Sequence, residues 1–193
     1  LVQASTSLPI MLLSLLGGAV ADSFDRRRVM IFVQIFMLGV SALLMLATWF
    51  GLISPWLLLA FTFLLGCGTA LNNPSWQASV GDMVPRSDLP AAVALNSIGF
   101  NLSRSVGPPV GGLLVAAFGA AAAFLANTLS YVGLIIVLLR WKPAAVPSTL
   151  PREPMGGAIM SGLRYVGMSP NILKVMLRAF IFGFTAIVVL ALL

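Results

Sequence analysis

Charged side chains are concentrated in one short stretch near the start of the sequence. Residues 17–30 read GGAVADSFDRRRVM and hold two aspartates and three arginines, whereas charged residues make up only 8% of the 193-residue chain. Such carboxylates can bind an arginine or a helix N-terminus, and such arginines can hold a membrane helix at the cytoplasmic surface. The stretch is therefore either the solvated turn of a membrane hairpin or a contact with a mechanical role.

A single arginine interrupts a later apolar stretch. Arg104 follows Ala91, where a helix is predicted to begin, by 13 residues, which is about 20 Å along a helix. The hydrocarbon core of a bilayer is about 30 Å thick, and an arginine inside it is costly unless it is paired or hydrated. The sequence leaves four partners open: a helix-end carbonyl, water, a substrate anion, or an acid outside this chain. A functional or gating role is favoured over a purely structural bond.

The ten residues after Arg104 combine prolines with glycines and read SVGPPVGGLL. Prolines remove backbone donors inside a helix, and glycines leave a face without side chains. The segment is predicted to bend and to allow close packing, which is either a plain packing kink or a functional element. Its residues of interest are Gly107, Pro108, Gly111 and Gly112.

Polar side chains also recur at helical spacing inside two apolar stretches. Steps of three or four place such residues on one face of a helix. For serine, threonine or glycine the commonest role is packing and hydrogen bonding between helices. An asparagine can equally face a wet cavity, so the sequence leaves both roles open. The candidates for a cavity lining are Asn73, Gln77, Ser97 and Asn101.

The overall composition indicates an all-α polytopic membrane protein. Hydrophobic residues make up 60% of the chain, and soluble domains carry about 25% charged residues. Apolar stretches long enough to cross a bilayer recur. Six transmembrane helices are predicted, at 1–21, 29–50, 56–78, 91–117, 121–141 and 171–193.

The composition also disfavours several functions. The chain has no histidine and one cysteine, so it lacks the commonest general base and metal ligand and cannot form an internal disulfide. An enzyme, a metal site and a cofactor are therefore not expected. Basic residues are scattered through loops without interleaved aromatics, which argues against nucleic-acid binding.

The distribution of lysine and arginine predicts the orientation in the membrane. These residues occur in the first, third and fifth connections between the predicted helices, which therefore face the cytoplasm. This topology implies a preceding helix outside the chain. The predicted organisation is a partial N-terminal half at 1–141, a cytoplasmic central linker with a short surface helix at 142–170, and the first helix of a second half at 171–193. A plain solvated loop is an equal alternative for that surface helix.

The charged stretch resembles the signature loop of major facilitator superfamily transporters, which reads Gly-x-x-x-Asp-x-x-Gly-Arg-Arg/Lys between the second and third helices. Gly18, Asp22, Arg26 and Arg27 match it, and Asp25 stands where the family usually has glycine. By this resemblance the six predicted helices correspond to the second to seventh of twelve.

The segment after Arg104 resembles the Gly-Pro-x-x-Gly-Gly motif of antiporters in the same superfamily. The longer run from Val84 to Gly119 is similar to the efflux subgroup that includes the enterobactin exporter and the transmembrane secretion effector proteins. The resemblance covers essentially the whole chain. It implies that the proline–glycine motif bends the fifth helix of the family fold and seals the cavity against leak.

The resemblance also implies roles for individual residues. Asp22 would meet the start of a helix in the second half of the transporter, and Arg26 would pair with Asp82. Such contacts form a latch that closes the cytoplasmic side. The position of Gly18 suggests that it permits a close approach between helices.

The implied function is secondary active export of small amphipathic molecules, of the drug or siderophore class, by alternating access. Proton-coupled antiport is expected from the family, and the protein would lie in the bacterial inner membrane. The expected partners are the substrate, the lipid bilayer, protons and the remainder of the same transporter. The alternative is a receptor or assembly scaffold that has the same fold and does not transport.

Overall fold

The structure is a computed structural model that describes residues 2–142 and 155–192. These residues form helices without strands, and the prediction of an all-α membrane fold is confirmed. Residues 143–154 of the predicted linker lie outside the described residues. The helices are α1 (Val2–Ser23), α2 (Arg26–Trp49), α3 (Pro55–Met83), α4 (Leu89–Phe118), α5 (Ala120–Arg140), α6 (Met155–Met168) and α7 (Pro170–Leu192).

Capping residues determine where the helices begin. Helix α2 begins three residues earlier than predicted, because the Asp25 carboxylate accepts a 2.8 Å hydrogen bond from the backbone N–H of Arg28. Ser54 caps α3 in the same way, through the N–H of Leu57, and a proline follows at the first helical position, where its missing N–H costs nothing. Gly119 separates α4 from α5 with a φ of 83°, a conformation that favours glycine.

The chain divides into two compact units, Leu1–Pro151 and Arg152–Leu193. In the first unit α2 packs between α3 and α5, α1 packs mainly against α3, and α4 packs mainly against α5. Helix α4 has few contacts with α3 and no fully buried residue. In the second unit α6 contacts α7.

Glycines allow α1 and α2 to pack closely on α3. A Cβ atom added at Gly17 would lie 2.5 Å from the carbonyl oxygen of Ala70, and one added at Gly66 would lie 2.6 Å from the ring of Pro9. A Cβ atom added at Gly18 would meet nothing within 4 Å among the described residues, so the close approach expected there stays a prediction. The two neighbouring glycines point in different directions around α1, and Gly17 is the one at the interface. Small residues at such contacts are typical of membrane helices.

Buried hydrogen bonds join α2 to its two neighbours. The Ser41 hydroxyl is fully buried and lies 2.9 Å from the Thr128 hydroxyl, and the Asn127 amide donates to it over 3.0 Å. Closer to the start of α2, the amide nitrogen of Gln34 donates over 3.1 Å to the side-chain oxygen of Asn72 on α3. These bonds tie α5 and α3 to the same central helix.

Four helices among the described residues are long and apolar enough to cross a membrane. They are α1 (over Ser5–Ser23), α2, α3 and α5. Helix α4 is long enough at 30 residues, but Asn101, Arg104 and its prolines and glycines make its sequence more polar. Among the membrane-length helices of the first unit, α4 therefore has the composition least suited to contact with lipid on all sides.

Candidate functional site

The structure brings Arg26 and Asp82 together at the ends of α2 and α3. An Nη1 atom of Arg26 lies 2.8 Å from Oδ2 of Asp82 and donates a second hydrogen bond of 3.2 Å to the carbonyl of Ala78. The two side chains are 35% and 34% exposed. This geometry is the ion pair that the family resemblance implied, and its role as a latch stays a prediction.

Arg27 makes a different contact from its neighbour. Its guanidinium donates to the carbonyl oxygens of Leu138 and Leu139 over 2.8 Å and 2.7 Å. These carbonyls belong to the last turn of α5, where they have no partner within the helix and where a positive charge is favoured. Arg27 therefore caps α5, so that two adjacent arginines fasten α2 to α3 and to α5.

The two aspartates of the stretch also differ. Asp25 caps α2, which gives a structural reason for an aspartate where the family usually has glycine. Asp22, in the last turn of α1, is exposed and has no hydrogen bond or ion pair with the residues that the structure describes. Its carboxylate remains open for the contact that the resemblance implied.

All four cavity candidates line one cleft between α3 and α4, which we call the α3–α4 cleft. Its volume is about 460 Å³. The α3 wall and the α4 wall each carry amide and aromatic side chains, and no charged residue lines it. The lining residues are Asn73, Trp76, Gln77 and Val80 of α3, and Val93, Asn96, Ser97, Phe100 and Asn101 of α4.

A hydrogen bond across the cleft joins its two walls. The indole N–H of Trp76 donates over 3.1 Å to the side-chain oxygen of Asn96. Sequence reasoning missed this pair, although both residues lie one position from a predicted one. On α4 itself, Asn101 donates to the carbonyl of Ser97, and the Ser97 hydroxyl donates to the carbonyl of Val93. The Asn101 side-chain oxygen is left available as an acceptor.

Arg104 continues the α4 wall of the cleft. It lies four residues after Phe100, and its guanidinium carbon lies 5.9 Å from the centre of the Phe100 ring. This distance is within the range of a cation–π contact. Arg104 is exposed and has no ion pair with a described residue.

The proline–glycine segment after Arg104 does not interrupt the helix. Helix α4 is continuous through Pro108 and Pro109. Cβ atoms added at Gly107, Gly111 or Gly112 would meet nothing within 4 Å. Within the described part of the chain, this surface is therefore open, and its sealing role stays a prediction.

Neutral side chains determine what the cleft can bind. Amides and hydroxyls donate and accept hydrogen bonds, and the rings of Trp76 and Phe100 offer apolar faces. The described residues contain no group of three or more histidine, cysteine or acidic side chains that could hold a metal ion. The arrangement suits an uncharged polar or aromatic part of a small molecule.

The membrane-length helices define a multi-pass α-helical membrane protein, and a polar cleft lies between two of its helices. The chain belongs to the transmembrane secretion effector family, whose model matches residues 1–193. This placement confirms the predicted resemblance to efflux-type members of the major facilitator superfamily, which are transporters and not enzymes.

Three relatives with assigned names are similar to the chain. It is 30% identical over 148 residues to the staphyloferrin A transporter of Staphylococcus aureus, covering 75% of this chain and 37% of that protein. It is 31% identical over 186 residues to the multidrug efflux pump Tap of Mycolicibacterium fortuitum, covering 88% and 44%. It is 27% identical over 184 residues to the uncharacterised MFS-type transporter YfiS of Bacillus subtilis, covering 93% and 43%.

The chain thus spans less than half the length of each of these relatives. No solved structure matches it.

Proposed function

We propose that the chain is part of a secondary active exporter of small amphipathic molecules in a bacterial inner membrane. The observation that carries the proposal is the α3–α4 cleft. It collects amide and hydroxyl side chains from two helices at membrane depth, where each polar group is costly unless it meets water, another polar group or a ligand. Polar residues that line a cavity inside a membrane protein often mark a substrate pathway.

The depth of the cleft supports this role. Asn73 lies ten residues before the end of α3, and Ser97 lies eight residues after the start of α4. At about 1.5 Å per residue, these positions are roughly 15 Å and 12 Å from the helix ends. A ligand held there lies between the cytoplasmic surface and the bilayer centre. In alternating access, a site near the midplane opens to one side at a time.

The arginine contacts of α2 support the closing part of the cycle. The Arg26–Asp82 pair and the Arg27 cap hold α2, α3 and α5 as one body at the cytoplasmic end. In a rocking mechanism each half of the transporter moves as a rigid body against the other half. We propose that the open Asp22 carboxylate contacts a helix N-terminus in the remainder of the transporter, where a negative charge is favoured.

Proton antiport is the coupling we propose. In residues 2–142, the acidic side chains lie in loops or in the last turn of a helix. A proton carried through the membrane would therefore use a carboxylate of the remainder of the protein. The names of two relatives, a siderophore transporter and a multidrug efflux pump, support the proposed substrate range.

The test is export of fluorescent compounds from cells that express the full-length gene. Three dansyl compounds share one fluorophore and differ in charge: dansylglycine is anionic, dansylglycinamide is neutral and dansylcadaverine is cationic. We expect faster loss of at least one of them than from cells with the empty vector. Asn101→Phe fills the cleft and should reduce this export.

Leu102→Phe is the matched control, because Leu102 lies next to Asn101 on the same helix and is exposed like it but does not line the cleft. Membrane abundance of both variants is measured by immunoblot. Export of none of the compounds, or equal export by both variants at equal abundance, would contradict the proposed role of the cleft. The first of these outcomes would favour the receptor or scaffold alternative.

A further inference from the structure

We infer that Arg104 is an anion-binding residue that makes the α3–α4 cleft select ligands with a carboxylate or a similar acidic group. This inference rests on the proposed function, because it names the substrate class of the same cleft. The neutral walls of the cleft then contact the polar and aromatic body of the ligand. Arg104 binds its charged end.

The position of Arg104 relative to the cleft is the first argument. The α4 lining residues, from Val93 to Asn101, follow helical steps of three and four and form one stripe. Arg104 lies three residues after Asn101 and four after Phe100, so it is the next residue on that stripe. The 5.9 Å contact with the Phe100 ring holds the guanidinium beside the cleft.

The depth of Arg104 is the second argument. It lies 15 residues after the start of α4 and 14 before its end, or roughly 22 Å and 21 Å from the two ends. It is therefore at the middle of a helix about 45 Å long, in the part of the bilayer where a charge is most costly. Residues 2–142 contain no other charged side chain in the middle of a helix.

The charge balance around the cleft is the third argument. The acids nearest in sequence to the cleft residues are Asp82, in the last turn of α3, and Asp88, which directly precedes α4. Asp82 is paired with Arg26, and Asp88 lies in the loop before α4. Among the described residues, none that lines the cleft is charged, and Arg104 is the charged residue that follows the lining residues on α4. A cationic ligand would meet repulsion from Arg104, whereas a carboxylate would gain a charge-assisted hydrogen bond.

The shape of the guanidinium is consistent with this role. Arginine presents several N–H donors in a planar fork that matches the two oxygens of a carboxylate. One face of the fork contacts Phe100, and its donor edge has no described hydrogen bond. Lysine at this position would keep the charge but lose the fork, which separates charge from geometry in an experiment.

The experiment measures binding of the three dansyl compounds to the full-length transporter in lipid nanodiscs, by the increase in dansyl fluorescence. For the wild type we expect dansylglycine to bind at least about tenfold more tightly than dansylglycinamide, and dansylcadaverine to bind most weakly. Losing a hydrogen bond to a charged group weakens binding roughly ten- to a hundredfold. Arg104→Gln should remove the preference, and Arg104→Lys should keep part of it.

Arg86→Gln is the matched control, because Arg86 is an exposed arginine in the loop before α4. It should bind the three compounds as the wild type does. Each variant is used only as a monodisperse fraction by size-exclusion chromatography. If Arg104→Gln cannot be purified in this form, Arg104→Lys still tests the inference through its smaller preference.

Several outcomes would overturn the inference. Preference for the cationic compound, or the same order of affinities in the wild type and Arg104→Gln, would show that Arg104 does not select charge. Equal weakening of all three compounds in Arg104→Gln would mean that the arginine pairs with an acid of the remainder of the protein. Binding of none of the compounds would also contradict the inference. Suppose that cells export a dansyl compound, but the protein prefers the cationic compound or Arg104→Gln keeps the wild-type order of affinities. The inference about Arg104 then fails, and the proposed function stands.

Discussion

Two adjacent glycines of α1 should respond oppositely to the same substitution. A Cβ atom at Gly17 would lie 2.5 Å from the carbonyl oxygen of Ala70 and 3.4 Å from the Cα atom of Leu71. Both neighbours are backbone atoms and cannot rotate away. Ordinary contacts begin near 3.4 Å, so Gly17→Ala forces α1 and α3 apart by about 0.9 Å, the difference between 3.4 and 2.5 Å.

The magnitude follows from comparing two alanine variants. Overpacking of this kind costs about 1–3 kcal/mol. Replacing a helical glycine by alanine gains about 0.5–1 kcal/mol in the helix itself, and this gain is common to Gly17→Ala and Gly18→Ala. The difference between the variants therefore isolates the clash. We expect Gly17→Ala to be destabilised and Gly18→Ala to be neutral or slightly stabilised, about 1–3 kcal/mol apart.

The assay is thermal unfolding of the full-length protein in detergent, followed as the fraction that stays monodisperse. A difference of 1 kcal/mol shifts the melting temperature by about 2–4 °C in a domain of roughly 150–250 residues and by less in a longer protein. A Gly17→Ala melting temperature equal to or above that of Gly18→Ala would refute the described α1–α3 packing.

Three further predictions concern buried and charged contacts, each read out as thermal stability of the full-length protein. A double-mutant cycle of Arg26→Ala and Asp82→Ala should give a coupling of about 0.2–1 kcal/mol, because the pair is one-third exposed; a zero coupling would mean that the pair does not stabilise the fold. Ser41→Ala should cost about 1–3 kcal/mol, because it leaves the Asn127 amide without its acceptor, and a neutral effect would contradict that bond. Asp25→Ala should cost about 0.5–2 kcal/mol through loss of the α2 cap, whereas Asp25→Ser should lose much less if capping is the reason.

The sequence predicted the parts of the fold that depend on local patterns. Apolar length and alternating basic loops identified the membrane helices, because these signals are set within one segment. Spacing of three and four residues identified the polar faces of α3 and α4, and all four cavity candidates lie in one cleft. The Arg26–Asp82 pair came from the family resemblance and not from spacing, since the two residues are 56 positions apart.

The remaining contacts depend on how helices are rotated against each other. Two glycines in a row give no indication of which one faces α3, and the structure places Gly17 at that contact. Capping of α5 by Arg27 joins residues 111 positions apart, and no local pattern predicts it. The Asp25 cap could have been found, because an aspartate directly before an apolar helical pattern is a known start signal.

The proposal that this chain is part of a proton-coupled exporter is tested most directly by transport with the purified full-length protein. The protein is reconstituted in liposomes, and uptake of each of the three dansyl compounds is followed with an acidic lumen and with equal pH on both sides. We predict that at least one compound accumulates above its level in protein-free liposomes only when the lumen is acidic, and that nigericin abolishes this protein-dependent excess. Uptake equal to that of protein-free liposomes under both conditions would contradict the proposal.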